Sequence, residues 1–213
     1  MNILAIETAT DICSVAFCVD GITRAIKEDS IPRKHAEILP LFFEDVKKTG
    51  NFKLADLDGI AVSIGPGSFT GLRIGLSYSK GLAFSQGLPL IPVPTLLAMA
   101  ENAANKSESA NVLLFSHRDI LFHQTVNNSN DFPKPINEPS SQTWSDVELE
   151  LNGSRDDVIQ WNCERFLGNQ GKTQPSATSV GRLADTHFKG WVNYEPFKLV
   201  PEYISPFKIE ENK

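Results

Sequence analysis

Gly65-Pro66-Gly67-Ser68-Phe69-Thr70-Gly71-Leu72-Arg73-Ile74-Gly75 is preceded by the apolar run Gly59-Ile60-Ala61-Val62-Ser63-Ile64. It runs on into Leu76-Ser77-Tyr78-Ser79-Lys80-Gly81-Leu82-Ala83-Phe84. The apolar run reads as a buried strand, the glycine-proline step as a tight turn, and the remainder as a helix. Glycines before a helix N-terminus suggest a phosphate cradle, because they let backbone N–H groups point at an anion. The spacing opposes it: Gly65, Gly67 and Gly71 give Gly-x-Gly-x-x-x-Gly, which is neither a Walker loop nor the Gly-x-Gly-x-x-Gly of a dinucleotide loop. A structural turn is therefore the favoured reading over an anion site. Ser68 is placed to cap the helix rather than to act as a nucleophile, since no Gly-x-Ser-x-Gly elbow surrounds it.

Within the helix, Gly71, Gly75 and Ser79 recur every four residues and leave one face almost without side chains. Glycine in a helix interior costs about 1 kcal/mol relative to alanine, so Gly75 and Gly81 together give up roughly 2 kcal/mol that a close contact should return. Two readings stand: the helix packs closely on its own sheet, or a helix of another chain lies along it.

Working outward, residues 3–7 and 12–19 read as strands joined by Thr8-Ala9-Thr10-Asp11, and Asp20-Gly21 marks a hairpin into a third strand at 22–27. A helix follows over 36–48, with Pro40 near its first turn or kinking it. Its residues Ile38, Leu39, Leu41, Phe42, Phe43 and Val46 span an arc of about 200°, twice what one-sided burial requires, so two surfaces should cover it. After the organising helix, 88–93 returns as a strand and Pro94-Thr95 opens a third helix. Strands and helices in this order predict a mixed α/β sheet with helical crossovers. The polar stretch 105–111 marks a boundary. Beyond it, 112–115 and 120–126 read as a strand pair, 127–142 as an Asn/Ser/Pro-rich loop, 158–161 as a strand and 178–188 as a helix. Residues 200–206 read as extended, followed by a charged tail.

The chain has 213 residues, enough for one domain or two small ones, with ordinary apolar and charged content. A formal net charge of −6 opposes unaided binding to a nucleic-acid backbone. No run has membrane-spanning length, and the opening apolar run is too short for a signal peptide. Cys13, Cys18 and Cys163 form no Cys-x-x-Cys pair, and an odd count suits reduced thiols. A cytoplasmic protein is expected, in which the Asn-x-Ser matches at Asn105, Asn127 and Asn152 carry no glycan. The histidines, His35, His117, His123 and His187, never fall three or four residues apart, so no metal is expected. Glu7 ends a central strand beside Thr8 and Thr10, where a sheet-based ATPase would hold magnesium-bound phosphate. A rim carboxylate is the favoured alternative, since no partner ligand is in view. Arg73 opposes the helix dipole in the first turn, which fits either pairing with a neighbour's acid or a solvated guanidinium.

Ile3-Leu4-Ala5-Ile6-Glu7-Thr8-Ala9-Thr10, the segment 35–40, the stretch 65–75 and Gly81-Leu82-Ala83 together resemble the TsaB (YeaZ) family, bacterial proteins needed to make threonylcarbamoyladenosine in tRNA. The resemblance is dense over the first 100 residues or so and thins in the second half. It implies an actin-like ATPase (ribonuclease-H-like) fold of two subdomains, 1–105 carrying the partner-binding helices and 106–213 smaller and degenerate. It also implies a non-catalytic role without a cofactor, as partner of the paralogous TsaD subunit, which transfers the threonylcarbamoyl group to the tRNA adenosine beside the anticodon. A TsaE ATPase joins the pair, and tRNA is met only through the complex. TsaD carries a His-x-x-x-His pair after its Ile-Pro-Val strand; here Ile91-Pro92-Val93 leads to Thr95 and Met99, which cannot replace imidazoles on a metal. The partner surface implied by the resemblance is built from the first two helices: Ile38, Leu39, Phe42, Phe43, Val46, Gly71, Leu72, Arg73, Gly75, Leu76 and Ser79. An apolar patch there predicts a homodimer when the protein is alone. Two departures fall in the second half: Ser116-His117-Arg118 where relatives often have Asp-Ala-Arg, and Pro201-Glu202-Tyr203-Ile204-Ser205 where they tend to end Pro-x-Tyr-hydrophobic-Arg. An ATPase or kinase of the actin-like class acting alone is the competing reading, and a peptidase finds no nucleophile or metal.

Overall fold

The structure is a computed structural model describing residues 1–104 and 106–204. Asn105, Ser205-Pro206 and the charged tail, on which parts of the sequence reading fall, lie outside the described residues.

The first sheet holds β1 (Asn2–Glu7), β2 (Ile12–Val19), β3 (Ile22–Ser30), β4 (Gly59–Gly65) and β5 (Leu90–Pro94), in the order β3-β2-β1-β4-β5. β1 pairs antiparallel with β2 and parallel with β4, and β4 pairs parallel with β5. The parallel pairs are bridged by α1 (His35–Gly50) and α2 (Phe69–Gln86), as parallel strands require. This meander with crossover helices is the actin-like, ribonuclease-H-like arrangement of a mixed α/β sheet. β1 is buried on both sides. Ile3 and Ala5 join a core shared with α3 (Thr95–Asn102) and α6 (Ala177–Trp191), whereas Leu4 and Ile6 join a core shared with α1 and α2. The period of two along one strand thus feeds two separate cores.

The second sheet runs β10 (Val158–Trp161), β6 (Ala110–His117), β7 (Ile120–Asn127), β8 (Lys134–Pro135), with β9 (Ser140–Thr143) also on β7. Val112, Leu114, Phe122 and Val126 turn toward the core shared with the first sheet, and Leu113 and Leu121 pack with α4 (Trp144–Leu151) on the far side. The segment 127–142, expected to be a loop, therefore contains strand pairing. Ser140–Thr143 is polar and without alternation, so the strand is held by backbone bonds to β7 and leaves no hydrophobic signal. α4 was likewise unforeseen; Thr143 caps it by accepting from Asp146 N. The short α5 (Glu164–Leu167) follows β10. α6 then returns to lie against β1, β2 and β5 of the first sheet.

Candidate docking surface

The glycine-rich turn is filled by the chain itself. Ser68 N donates to Ala9 O at 2.7 Å, and Ser68 Oγ accepts from Gly71 N at 3.2 Å. Two of the turn's amides are thus spent on the β1–β2 loop and on the cap. Side chains at Gly67 and Gly71 would overlap the backbone oxygens of Ala9 and Thr8. A Cβ at Gly75 would collide with Thr8 Oγ1, whose hydroxyl donates to Gly71 O at 2.9 Å. Ser79 completes the stripe by donating to Gly75 O at 2.8 Å. Of the two readings of the small-residue stripe, the internal one is correct: Gly71 and Gly75 lie against Thr8, and with Ser79 they are buried and give a partner nothing to touch.

The apolar arc of α1 is corrected in the same way. Leu39, Phe42, Phe43 and Val46, with Leu72 and Leu76 of α2, are buried in this chain's own interior. The arc is wide because α1 rests on β2 and β3 and also meets α2, where Phe43 packs edge-on against Tyr78 with centroids 6.1 Å apart. Ile38 is only half-buried. Leu41 is 59% exposed and, two residues from Phe43, points to the other side of the helix.

Among the described residues Arg73 meets no acid. Its guanidinium lies 3.7 Å from the centre of the Phe69 ring, and Nε donates to Tyr203 Oη at 2.8 Å. Tyr203 arrives on a terminal strap, 196–204, that runs along one flank of α2: Lys80 Nζ donates to Phe197 O at 3.2 Å, Phe84 meets Phe197 at 5.6 Å, and Glu202 N donates to Ile64 O at 2.8 Å. The aromatic pairing was missed because it joins residues 130 positions apart.

With one face of α2 on the core and one flank under the strap, a third face is open. Ile74, Tyr78 and Gly81 share it at helical spacing, the first two half-buried and Gly81 exposed. Among the described residues a Cβ at Gly81 would meet nothing within 4 Å. The side nearest α1 is edged by the Glu44–Lys47 ion pair, with Lys47 Nζ 5.2 Å from the Phe43 ring centre.

Glu7 is neither a rim group nor an open magnesium ligand. It is fully buried, accepting from Ala9 N at 2.5 Å and from the Ser63 hydroxyl, and burial pushes its pKa up to about 7 against those two bonds. Next along the loop, Asp11 Oδ1 accepts from Trp161 Nε1 at 2.8 Å and Asn162 Nδ2 at 2.9 Å, tying the first sheet to the end of β10. Thr95 and Met99 are both interior residues of α3. Among the described residues no three His, Cys, Asp or Glu side chains gather as a metal site, and no helix is long and apolar enough to cross a membrane. The three cysteines are unpaired and buried, with the Cys13 and Cys163 thiols pushed up to about 12 chiefly by burial.

A family model described as TsaD, tRNA N6-adenosine threonylcarbamoyltransferase, matches residues 28–120. The tRNA threonylcarbamoyladenosine biosynthesis protein TsaB of Escherichia coli (strain K12) is 46% identical over 114 residues, 53% of this chain and 48% of that protein. The Haemophilus influenzae protein of the same name is 38% identical over 129 residues, 59% of this chain and 54% of that protein. The chain thus spans about half the length of the curated relatives it matches. The solved structure of YeaZ from Pseudomonas aeruginosa shares the fold, with a TM-score of 0.78 at 23% identity over 95% of this chain and 99% of that one. In sequence over about half of its length and in fold over nearly all of it, the chain is similar to the TsaB (YeaZ) proteins.

Proposed function

We propose that this chain is the non-catalytic partner of a TsaD-like transferase subunit in threonylcarbamoylation of the tRNA adenosine beside the anticodon, and that it scaffolds and activates that subunit from the open face of α2. The observation carrying this is Gly81. A glycine in a helix interior costs about 1 kcal/mol relative to alanine, and at Gly71 and Gly75 the close approach of Thr8 accounts for it. At Gly81 no described residue does. A backbone approaching from another molecule would, with Ile74 and Tyr78 as the apolar floor and the Glu44–Lys47 pair as a polar rim.

The absence of chemistry is supported by the same geometry. Two of the turn's amides are occupied, Glu7 is enclosed, and Thr95 and Met99 stand where the resemblance puts imidazoles in TsaD. On this reading a TsaE-like ATPase joins the pair, tRNA is met only through the complex as the net charge of −6 favours, and the protein works in the cytoplasm without a cofactor. Alone, it forms a homodimer through the same face.

The test is Gly81→Leu in a binding assay with the TsaD-like subunit. Association is expected to be lost while the circular dichroism and unfolding midpoint of the isolated chain hold; retained association at unchanged affinity would overturn the proposal. Titrating ATP and magnesium into the isolated chain separates this reading from an actin-like ATPase, which would bind or hydrolyse the nucleotide without a partner.

A further inference from the structure

Where the end of α3 faces α6, an open cleft of about 470 Å³ is lined by Glu101, Asn102, Lys106, Ser129, Asp131 and Arg182, among others. Its floor is unusual. Glu101 is 4% exposed, and neither of its carboxylate oxygens accepts a hydrogen bond from any described residue. Arg182 Nη1 lies 2.8 Å from Glu101 Oε1 but out of line for such a bond, so it supplies charge without an aligned donor. The Arg182 side chain as a whole is 47% exposed. Burial raises the Glu101 pKa, against the smaller opposing pull of Arg182 and Lys106.

A buried carboxylate without donors is costly to keep, and an arriving N–H group would relieve it. The cleft's charges restrict what can bring one. Two cationic heads, Lys106 and Arg182, line it with two carboxylates, Glu101 and Asp131. A simple anion would be repelled by Glu101 and Asp131, and a simple cation by Arg182 and Lys106. Among the described residues no third His, Cys, Asp or Glu joins Glu101 and Asp131 to form a metal site. A dipolar molecule carrying an ammonium and a carboxylate a few ångströms apart satisfies both halves. We infer that this cleft binds a free α-amino acid, its ammonium donating to Glu101 and its carboxylate held by Arg182 and Lys106. The site stands apart from the α2 face, so it holds or fails independently of the docking proposal.

Thermal unfolding and calorimetry of the whole chain with each of the twenty L-amino acids at millimolar concentration test it. At least one is expected to raise the unfolding midpoint, because a ligand of the folded state stabilises it by mass action. Its N-acetyl and its carboxamide derivatives should each bind at least about tenfold more weakly, since each lacks one charged contact. Glu101→Gln should abolish binding. Lys106→Ala, at an exposed position, should weaken binding with the fold intact. No response to any amino acid would overturn the inference. So would a derivative binding as well as its parent, which would mark the cleft as a one-charge site, or binding unaffected by both substitutions.

Discussion

Glu7 at the end of β1 and Thr8 at the start of the β1–β2 loop show how much single positions control. Because Thr8 Oγ1 occupies the space a methyl would need at Gly75, Gly75→Ala must displace that hydroxyl and its bond to Gly71 O. Overpacking of this kind costs about 1–3 kcal/mol, against a helix-propensity gain of about 1 kcal/mol. Denaturant unfolding should show Gly75→Ala as a net loss, and Thr8→Ala combined with it should recover part of that loss as a non-additive pair. Gly75→Leu would damage the monomer itself and is no probe of docking. Glu7 makes stability depend on pH. Its folded pKa of about 7 lies above the ordinary 4.5, so between those values the folded protein keeps a proton that the unfolded chain releases. Stability contributed by this group is therefore full below about 4.5, falls as pH rises, and levels off above about 7. At about 1.4 kcal/mol per unit, the loss is on the order of 3 kcal/mol, and Glu7→Gln should remove it from a chemical-denaturation series across that window.

At the scale of the element, α2 is a three-sided rod. One side sits on the first sheet, one is covered by the strap at Arg73, Lys80 and Phe84, and one is open at Ile74, Tyr78 and Gly81. Two glycines in the same helix should then respond oppositely to alanine. Gly75→Ala destabilises, whereas Gly81→Ala, facing empty space, should raise the stability of the isolated chain by about 1 kcal/mol. A drop in stability at Gly81→Ala would show that this face is packed, and would remove the ground for placing a partner there.

Across the whole molecule, the two sheets share one core through α3 and α6, and polar clamps hold their edges. Asp11 accepts from Trp161 and Asn162, and Glu28 accepts from Ser14 and Ser176, the latter at the cap of α6. Asp11→Ala leaves the indole N–H of a buried tryptophan without its acceptor, and hydrogen bonds to a charged group are worth about 1.5–3 kcal/mol each. Thermal unfolding should show a loss of about 2 kcal/mol, with Asp11→Asn recovering part because its amide oxygen still accepts. An unchanged midpoint would mean that the clamp contributes nothing.

The first half of the fold was legible because its signals are local. A meander with a turn dipeptide, apolar runs and Ser68 before a helix each carry their instruction within a few residues, and β2, α2 and the glycine-rich turn fell where these signals put them. β9 and α4 were not legible, since a polar edge strand is held by backbone bonds to β7 and leaves no periodicity behind. The candidate surface was not legible: spacing identified the small-residue stripe and the wide apolar arc, both of which the chain covers itself, because spacing is blind to what lies opposite. Only the tertiary structure brought Thr8 against Gly75, Phe43 against Tyr78 and Tyr203 against Arg73, leaving Gly81 uncovered. Periodicity along a chain tells which residues share a face; which body covers that face is decided by contacts between segments far apart in sequence, and no local pattern encodes them.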